Sequence, residues 1–187
     1  MSNILNQNNM KSNKKLNAKD IIITRKRLDG EISQYWSYIK AENTLRKNAV
    51  AKFRFHNIPE LHNQILQKIE QRIKIKGMLN QLNNGILKFD NETFKKSHYY
   101  TIFRLQEAQE QIVKLNEIRK KCVAPQLKAQ KGKKGTGFHE IFSYEKITSL
   151  ISRLEQDVNT YKSIIEKYNN ETEIEITDDS LNDILAA

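Results

Sequence analysis

Apolar residues recur along most of this chain at three- and four-residue intervals, the spacing that keeps one face of a helix dry. In the first such stretch, Ile21, Leu28, Ile32, Tyr35 and Ile39 follow it, with Ile22 and Trp36 widening the stripe. That pattern predicts an amphipathic helix, in which Gly30 is a weak point of about 1 kcal/mol relative to Ala. Tyr35 and Trp36 then belong to the core or to a helix–helix contact. Pro59 suits the first turn of a second helix, where a missing N–H has no partner to lose. Leu61, Ile65, Ile69, Ile73, Leu79 and Leu82 give its buried face, and Asn83-Asn84-Gly85 its stop. A third helix over about 96–122 is carried by Ile102, Leu105, Ala108, Ile112, Leu115 and Cys122, and Pro125 ends it.

The fourth helix has the most regular pattern. Ile147, Ile151, Leu154, Val158, Tyr161, Ile165 and Tyr168 step by 4-3-4-3-4-3, a seam of the coiled-coil kind. Ser143 is placed to cap its start, and Asn169-Asn170 to end it. A helix of roughly 25 residues is a rod of about 37 Å.

Three stretches leave the helical period. Val50, Phe53 and Phe55 alternate with Ala51, Lys52 and Arg54, which predicts a short strand or an extended crossover whose rings plug the end of the helices. The same residues also suit a nucleic-acid platform, with Phe faces for bases and Lys52 and Arg54 for phosphates. "ILKFDNETF", residues 86–94, predicts a small hairpin or extended turn around Asp90-Asn91. "ETEIEI", residues 171–176, alternates like a strand that pairs with the segment after the second helix. The expected fold is all-α: an elongated antiparallel bundle or coiled coil of about four helices, with short extended segments at its ends. Residues 1–16 read as a flexible segment, 17–170 as the helical domain and 171–187 as an acidic tail.

Charge changes the picture more than composition does. The chain of 187 residues carries a formal net charge of +10, divided unevenly. Residues 1–140 hold 28 Lys and Arg against 12 Asp and Glu, whereas residues 141–187 hold 4 against 10. A basic body favours polyanions, and lysine also serves simply to solvate surfaces. Six Gly and two Pro disfavour a turn-rich β-sandwich. The single cysteine, Cys122, forms neither an internal disulfide nor an all-Cys zinc site. The N-terminus lacks the apolar stretch of a signal peptide and no apolar run approaches a bilayer span, so a cytoplasmic location is expected.

Motifs for catalysis are absent. "GKKGTG", residues 132–137, lacks the Gly-Lys-Ser/Thr ending of a phosphate-binding loop, since Phe138 follows Gly137. The loop therefore reads as a solvated, flexible helix connector, with a second reading in which Lys128, Lys131, Lys133 and Lys134 meet phosphates as point charges. His56, His62, His98 and His139 show no metal-ligand spacing, and the acidic tail lacks the glycine turn of a calcium loop. No enzyme, cofactor or metal is expected.

"IKIKGMLNQLNN", residues 73–84, and "YNNETEIEI", residues 168–176, resemble landmarks of small, largely uncharacterised helical proteins of bacteria and phages that are labelled septicolysin-like. The resemblance runs from about 65 to 176 and implies a helix with an Asn-bearing end, a short extended piece and two further long helices. It implies no activity. The basic N-terminal half and the acidic tail depart from that group.

The leading functional reading is a non-enzymatic interaction or assembly protein, of phage or mobile-element type, whose seam residues bind further copies or another helical protein. Its rival is a nucleic-acid-binding accessory protein for DNA or RNA. A membrane-active protein ranks third.

Overall fold

Side-chain caps set where the helices begin. Asn17 accepts the Asp20 N–H at 2.9 Å and opens α1, Ala18–Glu42. Asn57 does the same for Glu60 at the head of α3, Ile58–Asn83, and Pro59 occupies its first turn. Ser97 caps α5, His98–Arg119, and Ser143 caps α6, Tyr144–Glu171. The structure, a computed structural model, describes residues 15–124 and 137–173. Between the long helices lie β1 (Thr44–Arg46), a 3-10 turn (Lys47–Ala49), α2 (Val50–Phe53), α4 (Asn91–Lys95) and β2 (Phe138–Glu140). The described residues are mostly helical, as the apolar period requires.

α1 packs along α3 and α5 along α6, and the two pairs meet mainly through α3 and α5. The main core joins Ile32, Trp36 and Ile39 of α1 to Ile58, Ile65 and Ile73 of α3, with Leu115 and Ile118 of α5 and Ile147 and Ile151 of α6. Each such side chain contributes about 1.5–3 kcal/mol by leaving water. A smaller cluster of Ile21, Leu28 and Ile75, flanked by Met78, Leu79 and Leu82, closes the other end of the α1–α3 pair.

One level of the core is ionic. Arg72 of α3 donates to Asp29 of α1 at 3.1 Å and to Glu110 of α5 at 2.8 Å, and it also pairs with Glu107. Lys76 adds a second cation to Glu107 at 2.9 Å. Arg72 and Glu107 are 5% and 1% exposed, so each charge depends on its ion partners for solvation. Three helices are thereby fixed in one relative register.

Four local expectations change. Residues 50–53 form a helical turn rather than a strand, and Phe53 and Phe55 are exposed rather than plugging the helices. The strand lies earlier, where Thr44, Leu45 and Arg46 pair with Glu140, His139 and Phe138 in an antiparallel ladder. Asp90 caps a one-turn helix instead of turning a hairpin: its carboxylate accepts the Thr93 N–H at 2.8 Å, and Phe94 is buried. The fourth helix runs through Asn169-Asn170 to Glu171, because asparagine interrupts a helix only weakly. Residues 1–14 and 174–187, which include most of the expected N-terminal segment and acidic tail, lie outside the described residues.

Candidate nucleic-acid interface

The C-terminal end of α1 carries two buried polar residues in succession, and both organise chain that is distant in sequence. Asn43 holds the backbone of Phe142 from both sides: its Oδ1 accepts the N–H at 2.8 Å and its Nδ2 donates to the carbonyl at 2.9 Å. The Ile141 N–H donates to the Asn43 carbonyl at 3.1 Å. Glu42 turns the other way. Its carboxylate accepts the backbone N–H groups of Phe55 and His56 at 2.9 Å each, and the His56 Nδ1–H at 2.6 Å. Burial alone would raise the Glu42 pKa, but these bonds together outweigh it and hold the carboxyl below its usual range. His56 then stacks on Tyr38, with ring centroids 4.2 Å apart.

Arg54 closes the arrangement. Its Nε donates to the Glu42 carbonyl at 3.1 Å, and its Nη2 to the carbonyls of Glu42, Asn43 and His139 at 2.9, 3.2 and 3.3 Å. Its Nη1 donates to Nδ1 of His139 at 2.6 Å, so that nitrogen is an acceptor and the ring proton sits on Nε2. The guanidinium thus saturates the carbonyls at the end of α1 and couples them to β2. With Arg54 held inward, the side chains on either side face solvent: Phe53 is 50% exposed and Phe55 77%. Lys52 places its ammonium 5.4 Å from the Phe53 ring centroid.

The strand ladder extends this face. Arg46 stands opposite Phe138, and the Lys47 N–H donates to the Gly137 carbonyl at 2.9 Å. Gly137 has φ +73°, a conformation that glycine adopts without penalty, and this lets the chain turn into β2. Arg46, Lys47 and Lys52 are exposed. No Asp or Glu occurs between residues 43 and 59, nor between 118 and 139. The β1–β2 pairing sets Arg46 opposite Phe138, at the end of the ladder away from Glu140, which stands opposite Thr44. Lys121 belongs to the same end, its ammonium donating to the Lys40 carbonyl at 3.3 Å. A face with this charge raises the local concentration of polyanions.

The residues that the sequence marks out are not all brought together. Lys52 is on the face. Arg54 is inside it, bonded to protein groups rather than presented to phosphate. Lys128, Lys131, Lys133 and Lys134 lie outside the described residues. Along the seam, Ile147, Ile151 and Val158 are buried, Leu154, Tyr161 and Ile165 are partly buried, and Tyr168 is exposed and stacked on His98 at 4.0 Å. The seam helix packs against α5 of its own chain. Glu42, Asn43, Arg46, Lys47 and His139 join the site although no sequence motif groups them. The missing acids between 43 and 59 are the available signal.

Among the described residues, no group of three or more His, Cys, Asp or Glu is placed to hold a metal ion, and no helix is long and apolar enough to cross a membrane. Comparison of the chain with protein-family models, curated proteins and solved structures finds no match.

Proposed function

We propose that this protein is a nucleic-acid-binding accessory protein, acting through the basic face at the β1–β2 end of an antiparallel four-helix bundle. One observation carries the reading: Arg46 at the end of β1, Lys47 after it and Lys52 of α2 are exposed, as are Phe53 and Phe55, within a stretch from 43 to 59 that contains no Asp or Glu. Cations so arranged bind phosphates mainly by releasing condensed counterions, which gives affinity without sequence preference. Binding requires no catalytic group, cofactor or metal, and the chain serves as a scaffold for the face. The resemblance to septicolysin-like proteins implies a fold and no activity, so function rests on the site alone.

The assembly reading rests on the α6 seam. Ile147, Ile151 and Val158 are already buried, and α6 packs on α5, so a partner helix would have to displace α5 to reach them. The basic face needs no such displacement.

The test is a titration of labelled 20-nucleotide strands at several salt concentrations. Wild-type affinity is expected to fall steeply with salt. Changing Arg46, Lys47 and Lys52 to Ala is expected to reduce the salt slope by about 0.7 per residue for single strands. These side chains are exposed, so the melting temperature should stay put. Absence of binding by the wild type at low salt would remove the proposal.

A further inference from the structure

Charge alone does not distinguish a duplex from a single strand, but the rings on this face do. We infer that Phe53 and Phe55 are stacking platforms for unpaired bases, so that the face selects single-stranded nucleic acid over duplex. The inference rests on the nucleic-acid reading and names its substrate class.

The backbone that carries the rings is fixed from both sides. Arg54, between them, makes its hydrogen bonds to Glu42, Asn43 and His139, and the Phe55 N–H is held by the Glu42 carboxylate at 2.9 Å. Phe55 is nevertheless 77% exposed, so its ring is presented from a fixed point without being packed. Apolar area displayed on rigid backbone has little ordering entropy left to lose when a flat partner covers it. Lys52 lies over one ring, and Arg46 at the end of β1 and Lys47 at the start of the 3-10 turn precede it in the chain. Exposed ring faces next to exposed cations match a single strand, whose bases stack on aromatics while its phosphates meet the positive charges. In a duplex the base faces are covered by neighbouring pairs, so only the cations would engage. Every base has such a face, so binding is sequence-tolerant.

The experiment measures the binding of full-length protein to labelled 20-mers of thymidine and of uridine and to a 20-base-pair DNA duplex, by fluorescence anisotropy at fixed salt. Wild-type protein is expected to bind at least one of the single strands about tenfold or more tighter than the duplex. Phe53→Ala and Phe55→Ala should each lose about fivefold or more on that strand. Duplex affinity and the salt slope should be unchanged, and Phe55→Trp should keep the single-strand affinity. Melting temperature is the folding control, since both rings are exposed. Equal binding of strand and duplex, insensitive to the Phe variants, overturns this inference and leaves the charge-based function standing. Failure to bind any of the three overturns both. Both also fall if the rings instead mediate self-association, seen as a lower mass for Phe55→Ala in sedimentation with no strand bound by the wild type.

Discussion

Gly77 shows how a single missing methyl group can decide a contact. A Cβ built there would lie 2.5 Å from Cζ of Phe94, whose ring is 2% exposed and has nowhere to go. Alanine in a helix is normally worth about 1 kcal/mol over glycine. Here overpacking should prevail, and Gly77→Ala is expected to destabilise by about 1–3 kcal/mol, with Phe94→Leu in the same chain restoring part of the loss in urea melts. His62 offers a second test at this scale. It lies edge-on to Trp36 and Phe142, at 5.8 and 5.6 Å between ring centroids. Burial, helped by Lys146, holds its pKa below the ordinary value. The unfolded chain therefore takes up a proton that the folded chain refuses. The resulting loss of stability begins as pH falls through about 6.5 and grows until the depressed pKa is reached. His62→Gln should make melting temperature less dependent on pH between about 7 and 5 than in the wild type.

At the scale of elements, the ionic level between α1, α3 and α5 carries a distinct expectation. Arg72→Met leaves Glu107 with Lys76 alone, and Glu107→Leu leaves Arg72 with Asp29 and Glu110, so each should cost about 1.5–3 kcal/mol by denaturant melts, the loss of a charged hydrogen bond rather than of all pairing. The double variant should recover part of that loss, because an apolar pair removes the two most buried charges while Lys76 is left without its carboxylate. The long helices are legible in the sequence because each repeats its apolar stripe over several turns and carries a plain cap, as Ser143 does for α6. The three-residue strands are not. Thr44–Arg46 is too short to show an alternating period, and what holds it is a partner almost a hundred residues away. Residues 50–55 mislead for a related reason: their alternation is real, but the inward member is Arg54 rather than the phenylalanines. A half-buried guanidinium satisfied by carbonyls cannot be read from local pattern, since its acceptors come from the end of α1 and from β2.

Taken whole, the molecule separates its charges along the chain. The described basic face is built from residues before 140, while the last 47 residues carry 10 acids and 4 bases. Residues 174–187 hold four carboxylates and no cation. Removing them would raise the formal net charge from +10 to +14, and attraction of a polyanion by net charge is felt most at low ionic strength, where the screening length reaches about 30 Å at 0.01 M. Deleting them should raise nucleic-acid affinity at low salt and change it little near 0.15 M, as read by the same anisotropy titration. Of the interface itself, the sequence shows Lys52 and the two rings but not their arrangement, because that arrangement depends on Asn43 and Arg54 joining separate parts of the chain. Asn43 grips Phe142, 99 residues further on. The closure is a contact of large sequence separation, whose loop-closure entropy must be offset before it stabilises the fold. A ribosome that has made α1, α3 and α5 has yet to supply β2 and Phe142, so a nascent chain of that length would not display the finished face. The finished face would exist only once the chain has been made past Phe142.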